Sequence, residues 1–371
     1  MIQMKSFNEI FEDKTKYCVK VITSEYGENG KNIIVDQGQG DIAGYTDREE
    51  GLFSDVPVII FGDHTRIIKY VDKPFFLGAD GVKVIKCKDL NANYKYLFYA
   101  LKNARIPDTG YNRHFKWLKA VKIKYPDYRE QEKIVQILDL VNDILKKRNT
   151  EIEFLNDLTK ARFVEMFGDP VANNFGWRQE RLKRVTSKIG SGATPRGGKE
   201  SYQAEGITLI RSMNVHDGRF EYKDLAHITD NQAAQLDNAT VEKGDVFINI
   251  TGASVARSCI VPDNTLPARV NQHVAIIRCV HSKLLPVFAN NMFLNSNFKD
   301  QLLSIGESGG ATRQAITKQQ LENLTVILPP LKLQEQFSAF VTEVNKSKVA
   351  VQKSLDETQL LFDSLMQKYF G

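Results

Sequence analysis

The stretch PDYREQEKIVQIL, beginning at Pro126, returns as PPLKLQEQFSAFV beginning at Pro329, 203 residues later. Such a repeat constrains a fold more than composition does, because one chain must place two copies of the same element. At this fixed spacing Leu118 meets Leu321, Gln131 meets Gln334 and Glu132 meets Glu335. Further on, Ile134 meets Phe337, Leu138 meets Val341, Val141 meets Val344, Ile152 meets Leu355 and Leu158 meets Leu361. The register ends with Met166-Phe167-Gly168 on Tyr369-Phe370-Gly371. Two unrelated amphipathic helices would not keep prolines, a Gln-Glu pair and a terminal Phe-Gly together without a gap. Upstream the likeness fades: VKVIKC ending at Cys87 and VAIIRC ending at Cys279 lie 192 residues apart. Both read as buried strands. Each half is therefore a variable globular part followed by a shared helix.

The repeated segment has a heptad pattern. In the first copy Ile134, Leu138, Val141, Leu145, Ile152 and Leu155 form the apolar stripe, with Arg148 interrupting it. In the second copy Phe337, Val341, Val344, Val351, Leu355, Phe362, Leu365 and Tyr369 form it, with Lys348 and Thr358 as interruptions. Proline stands just ahead of each run, where it suits a first helical turn, and Gly168 and Gly371 stand at the ends. Each run covers roughly 40 residues, about 60 Å as one straight helix. A helix so long with so narrow a stripe needs a partner, and the other copy is expected to supply it in antiparallel packing. The plainer alternative makes each helix a core element of its own domain. Such helices are usually shorter and have wider apolar faces.

These readings predict an α+β chain. Two globular mixed α/β domains, 1–127 and 169–330, are separated by two long helices, 128–168 and 331–371. The helices are expected to pack as an antiparallel coiled coil, giving a pseudo-two-fold internal repeat. A length of 371 residues accommodates this. No apolar run reaches the roughly 18 residues of a membrane span. The N-terminal MIQMKSFNEIFEDKTK has neither the apolar core nor the small-residue cleavage site of a secretory signal. Cys18, Cys87, Cys259 and Cys279 show no CxxC or metal-ligand spacing and read as reduced thiols of a cytoplasmic protein. A net charge of +5 permits a nucleic-acid partner without demanding one.

Catalytic patterns fail one by one. GGKES lacks the first glycine of a phosphate loop, since Ala193 stands there, and Glu200 replaces the Ser or Thr after Lys199. Gly252 to Ala256, GASVA, lacks the second glycine of a nucleophile elbow. The six histidines show no zinc spacing. PDYREQEK returns as PPLKLQEQ without Asp127 and Lys133, so a nuclease site of paired acids and a lysine is not expected on a helix start that the second copy lacks. No Asn/Asp-Pro-Pro-aromatic stretch of an adenine methyltransferase is present. No catalytic residue, metal site or bound cofactor is expected on this chain.

The order SGATP, GDVFI, then GATRQAITKQQLENLTVILPPLKLQEQ from Gly310 to Gln336 resembles the specificity (S) subunits of type I restriction-modification systems. The first half resembles a second, different target recognition domain of that family. Its marks are VIIFGDHTRIIKYVDKPFFLGADGVKV from Val58 and GYNRHFKWLKAVKIKYPDYREQEKI from Gly110. The resemblance covers nearly the whole chain, and LPPL..QEQ with the repeated helix is its most specific part. It implies that each domain reads one half of a bipartite double-stranded DNA target and that the helices set the unread gap. It also implies that two modification subunits bind the helices and methylate adenine. S-adenosylmethionine, ATP and Mg would sit on partner subunits, and restriction subunits join in some systems. Any short closing segment near the N-terminus is expected to be minimal or absent. A straight helix of about 60 Å would span at most about 17 base pairs, and domain packing should shorten this to somewhat more than one helical turn.

Reading DNA takes Arg and Lys for phosphates, and Arg, Asn, Gln, Ser or Thr for base edges, on loops held by a rigid sheet. In the first domain the candidates are His64, Thr65 and Arg66 in GDHTR, with Tyr111, Asn112, Arg113 and His114 in GYNRH. Asp80 in GADG reads as a turn former. In the second domain they are Thr194, Arg196 and Lys199, then Arg211 and Asn214, then Ser254 and Arg257. Asn271, Gln272 and His273 follow, with Arg313 and Gln314. The plainer alternatives are solvated polar loops and, for Asn271 and Gln272, satisfaction of buried backbone groups. Gln131, Glu132, Gln334 and Glu335 recur in both copies, either as local caps or as one partner contact made twice. A coiled-coil scaffold that reads no DNA, and a stand-alone DNA-modifying enzyme, are the competing functions.

Overall fold

The computed structural model describes residues 3–78, 80–307 and 314–371. The first half runs β1 (Gln3–Ser6), α1 (Phe7–Ile10), β2 (Phe11–Asp13), β3 (Asn32–Val35), β4 (Gly44–Thr46), β5 (Val58–Gly62) and β6 (Ile68–Val71). It continues β7 (Phe75–Leu77), β8 (Val82–Cys87), α2 (Tyr94–Lys102), α3 (Phe115–Lys119), β9 (Lys122–Tyr125) and α4 (Tyr128–Phe167). The second half runs β10 (Gln179–Arg181), β11 (Thr186–Ser191), β12 (Ile207–Ile210), β13 (Val215–His216), β14 (Arg219–Phe220), β15 (Ala226–Ile228) and α5 (Asp230–Ala234). Then come β16 (Val246–Asn249), β17 (Ser258–Ile260), β18 (Ala268–Val270), β19 (Val274–Cys279), α6 (Pro286–Leu294) and α7 (Ser296–Glu307). It closes with α8 (Lys318–Asn323), β20 (Thr325–Ile327) and α9 (Leu331–Phe370).

The two halves share a sheet topology. A four-stranded sheet of order β2-β8-β5-β6 in the first matches β11-β19-β16-β17 in the second. A three-stranded sheet β4-β3-β7 matches β15-β12-β18, each with its centre strand antiparallel to one neighbour and parallel to the other. The ribbon β1-β9 matches β10-β20.

Alternation along the central strands explains their unbroken apolar runs. Successive side chains of a strand point to opposite faces. Ile59, Phe61, Ile85 and Cys87 bury one face of the first four-stranded sheet among α1, α2 and α3, while Val58, Ile60, Val82 and Val84 bury the other with Phe75 and Leu77. In the second half Val246, Ile248, Ala275 and Ile277 pack on the helical side, and Phe247, Val274 and Ile276 pack towards the three-stranded sheet. A strand covered on both faces loses its polar alternation.

The chain forms two compact units, Met1–Asn149 with Gln352–Gly371, and Thr150–Val351, so each long helix is shared by both. In the first unit Ile134, Leu138, Val141 and Leu145 from the start of α4 share a core with Phe362 and Met366 from the end of α9. The Lys124 ammonium donates to the Gly371 carbonyl there. In the second unit Phe163 and Phe167 from the end of α4 pack on Phe337 from the start of α9, both ring pairs at 5.5 Å. Start meets end in each unit, so the helices pair antiparallel. Gly168 ends α4 at φ +70°, its N–H donating to the Val164 carbonyl at 2.8 Å.

Candidate nucleic-acid interface

Strand registers decide which loops meet. In the first unit Gly62 of β5 faces Val82 of β8, and Phe61 faces Ile68 of β6. The loop after β5 and the turn before β8 therefore leave the sheet at one end. Three bonds of Gln37, just after β3, tie that end together. Its Oε1 accepts from His64 N at 3.3 Å, its Nε2 donates to Asp80 O at 3.0 Å, and its carbonyl accepts from Thr65 Oγ1 at 2.9 Å. Asp63, buried, carries the 108–114 loop to the same place. Its carbonyl accepts from His114 N at 2.8 Å and from His114 Nδ1 at 3.0 Å, and its Oδ1 accepts from Phe115 N at 2.7 Å.

Arg66 adopts a left-handed backbone, φ +62°, and its guanidinium bonds Asp108 Oδ2 at 2.7 Å. The backbone N–H of Gly110 and then Arg66 hold the Asp108 carboxyl below its ordinary range. The exposed ring of Tyr111 stacks on His64 at 4.8 Å and 9°. Asn112 and Arg113 are exposed beside it. Asp80 closes its turn by pairing with Lys20, which lowers its pKa, and Arg113 adds to the effect.

The second unit repeats the arrangement with other residues. Ser191 of β11 faces Ala275 of β19, and Asn249 of β16 faces Val274. The 192–199 loop, the 250–257 loop and the 271–273 turn thus share one end. Thr194 Oγ1 donates to Gln272 Oε1, Gln272 Nε2 meets His273 Nε2 at 3.1 Å, and His273 Nδ1 meets Thr251 Oγ1 at 2.6 Å. This chain of bonds fits one tautomer of His273, protonated on Nδ1. Gln314 joins through its carbonyl, which accepts from Gly252 N at 3.0 Å, while its side chain donates to Glu307. Arg211 lies 5.4 Å over the Tyr202 ring and donates to the Asp224 carbonyl. Arg196 and Lys199 are exposed, Ser254 is half-buried, and Arg257 reaches His216 at 3.5 Å. Arg313 lies outside the described residues.

Not every polar candidate has a free surface. His114, Asn214 and Asn271 are buried at 0%, 0% and 5% exposure. Asn214 accepts from Arg211 N and donates to the Glu221 and Lys223 carbonyls, and Asn271 Oδ1 accepts from His273 N. These three build the loops from within, and the side chains of His114 and Asn214 are wholly buried. Gln37, Asp63 and Thr251 belong to the assemblies and were not among the sequence candidates. Only the glycine-rich run DQGQGDIAG around Gln37 could have signalled one of them.

The repeated Gln-Glu pairs divide by depth. Gln131 and Gln334 are buried at 1% and 0%, and their amides are bonded inside the chain, so neither presents a surface to a partner. Glu132 and Glu335 are exposed. The bonds of the glutamines are not local caps either: Gln131 Oε1 accepts from Asn93 N and Gln334 Oε1 from Leu285 N, each ahead of a domain helix distant in sequence.

A family model of the type I restriction modification DNA specificity domain matches residues 3–154 and 176–358. The specificity subunit of the type I restriction enzyme EcoR124I/EcoR124II from Escherichia coli is 29% identical over 341 residues, 88% of this chain and 82% of that one. The EcoBI specificity subunit, also from Escherichia coli, is 26% identical over 173 residues, 45% of this chain and 35% of that one. In fold, the crystal structure of a type I system S subunit from M. genitalium matches 100% of this chain and 96% of its own, with TM-score 0.60 and 16% identity. A chain from a structure on complex assembly of the type I system gives TM-score 0.54 at 19% identity, covering 100% of this chain and 97% of that one. The chain belongs to the type I restriction-modification DNA specificity family.

Proposed function

We propose that this chain is the DNA-reading subunit of a type I restriction-modification complex, each of its two domains reading one half of a split target. The observation that carries this is the loop placement. Two domains of one topology gather non-identical polar and basic loops at the same end of equivalent sheets. Two unlike readers on one scaffold suit an asymmetric split sequence. The exposed residues sort by chemistry: Arg113, Arg196 and Lys199 suit phosphates, while Thr65, Asn112, Thr194 and Gln272 suit base edges.

The helices would carry two modification subunits. Ile137, Leu140 and Ile144 follow one another along α4 at 40%, 63% and 37% exposure, away from its buried stripe, and Leu360 and Leu361 are exposed on α9. Apolar side chains in such a row fit a partner surface. Glu132 and Glu335 stand exposed at the start of each helix and would flank such a contact. S-adenosylmethionine, ATP and Mg would be held by the partner subunits, which supply the chemistry, with restriction subunits as further partners. No described helix is long and apolar enough to cross a membrane, and the proposed work on DNA places the chain in the cytoplasm.

The test is DNA methylation mapping by long-read sequencing in cells carrying the chain and its modification partner, against cells lacking the chain. A chain-dependent methylated motif of two short specific halves and a fixed gap is expected. No such motif, with the partner active on another specificity subunit, would overturn the proposal.

A further inference from the structure

We propose that Gln39, at the tip of the loop between β3 and β4, reads a base edge in the half-site recognised by the first domain, with adenine as its preferred base. This rests on the DNA-reading function argued above and adds a residue to it.

The loop lies at the reading end. Its second residue, Gln37, bonds both the loop after β5 and the turn before β8. The same position in the second domain is filled by the segment after β12, Arg211 to Asn214. The tie is equivalent as well: Thr65 donates to the Gln37 carbonyl, and Asn249 Nδ2 donates to the Ser212 carbonyl at 2.9 Å.

The loop is held from beneath by a costly anchor. Lys69 of β6 is only 4% exposed. Its ammonium donates to the Gly40 carbonyl and lies 3.6 Å from the Asp36 carboxylate. Asp36 Oδ1 in turn accepts from Gly38 N at 2.7 Å. Burying an ammonium is unfavourable unless it is paired and hydrogen-bonded. Here the pairing fixes both feet of a three-residue tip, Gly38-Gln39-Gly40.

At that tip Gln39 is exposed and its amide bonds no other described residue. Nearby amides are engaged: Gln37 in the ties above, Asn112 on the Thr109 carbonyl. Glycine on either side leaves no side chain to keep the backbone from a groove. A carboxamide presents one donor and one acceptor side by side, the pair that matches adenine N6 and N7 in the major groove.

The experiment expresses the full chain with its modification partner and maps the methylated motif for wild type, Gln39→Ala and Gln39→Glu. Wild type should give the split motif. Gln39→Ala should relax one base-pair position in one half, discrimination there falling about 5- to 150-fold, with the other half and the gap unchanged. Gln39→Glu should move that position towards cytosine, whose amino group a carboxylate accepts. An unchanged motif in both variants, or a uniform loss of methylation at an unchanged motif, overturns the assignment and leaves the DNA-reading function standing. A wild-type chain that yields no split motif removes that function, and this assignment with it.

Discussion

Gln131 and Gln334 make the same bonds at the same position of the two long helices. Gln131 Nε2 donates to the Pro126 carbonyl and Gln334 Nε2 to the Pro329 carbonyl, each at 2.9 Å. Gln131 Oε1 accepts from Asn93 N at 3.0 Å, and Gln334 Oε1 accepts from Leu285 N at 2.9 Å. Asn93 and Leu285 precede α2 and α6, so each glutamine fastens a domain helix to the start of its long helix. Gln334 adds a bond to the Lys283 carbonyl at 3.2 Å. The same device, kept in halves that differ elsewhere, sets each domain on its arm.

Removing either amide leaves buried backbone groups unpaired. Gln131→Ala and Gln334→Ala should each destabilise their unit by about 1–3 kcal/mol. Glu132→Ala and Glu335→Ala, at exposed positions, should stay within about 0.5 kcal/mol. Urea unfolding of the four variants checks this. Equal effects at the Gln and Glu positions would contradict it.

Gly192, the second residue of the SGATP stretch, sits under a tight constraint. A Cβ there would lie 1.8 Å from the Val270 carbonyl, with Gly192 N donating to the Asn271 carbonyl at 3.1 Å. The contact is with backbone, which cannot step aside. Gly192→Ala should therefore displace the 192–199 loop from the 271–273 turn and abolish methylation of the split motif. Gly190→Ala, which meets nothing within 4 Å, should be tolerated. Methylation mapping with a folding check by circular dichroism separates these outcomes.

The architecture was legible where the chain repeats itself or buries whole strands. The heptads gave the helices within a residue or two, because a long helix with one apolar stripe leaves a strong periodic trace. VKVIKC and VAIIRC read as buried strands because short apolar runs of that length mark strands. The loops were legible only as loops. Nothing local marks His114 as buried and Asn112 as exposed, since the partner that buries His114 is Asp63, 51 residues away. Polar side chains inside loops have the composition of polar side chains that bind ligands. The exposed Ile137 and Leu140 were hidden because they interleave with the apolar stripe.

Phosphate and base contacts should separate by salt. Arg196→Ala and Lys199→Ala, if each removes one phosphate contact, should lower the slope of log K against log salt by about 0.9. They should weaken all sequences alike. Gln272→Ala should leave the slope unchanged and relax one base position. Salt titration of the assembled complex on its target and on a scrambled duplex measures both. Equal weakening on the target and the scrambled duplex for Gln272→Ala would reassign it to the backbone.

Alkaline pH should unfold the chain early. Burial pushes the thiols of Cys18, Cys259 and Cys279 and the phenol of Tyr94 up to about 12. Tyr96, Tyr99 and Tyr125 are raised too, chiefly by burial. In the unfolded chain these groups release protons from about pH 8.5 for thiols and about pH 10 for phenols. The folded state holds them longer, so stability is whole below the unfolded values and falls as pH rises towards about 12. The urea midpoint should be flat from pH 7 to about 8.5 and decline above. A midpoint flat to pH 11 would contradict this.

Lys348 stands where the heptad of α9 calls for an apolar residue, and burial, with Lys160 adding a smaller push, lowers its pKa. The sign is opposite to that of the thiols. The unfolded chain keeps this proton more tightly, so the residue costs stability at neutral pH, and the cost fades as pH rises through the folded value. A polar residue at one inner position of a helix pair fixes register at the expense of stability. Lys348→Leu should therefore raise the urea midpoint, by about 1 kcal/mol in unfolding free energy at pH 7, with a smaller gain at pH 10. Looser register should follow, read as a methylated motif whose gap varies by a base pair where wild type holds one length. A destabilised variant would show that the ammonium contributes a bond worth more than the apolar contact. A stabilised variant with an unchanged single gap would remove Lys348 from the setting of register and leave that role to the packing of Val344 and Val351 on either side.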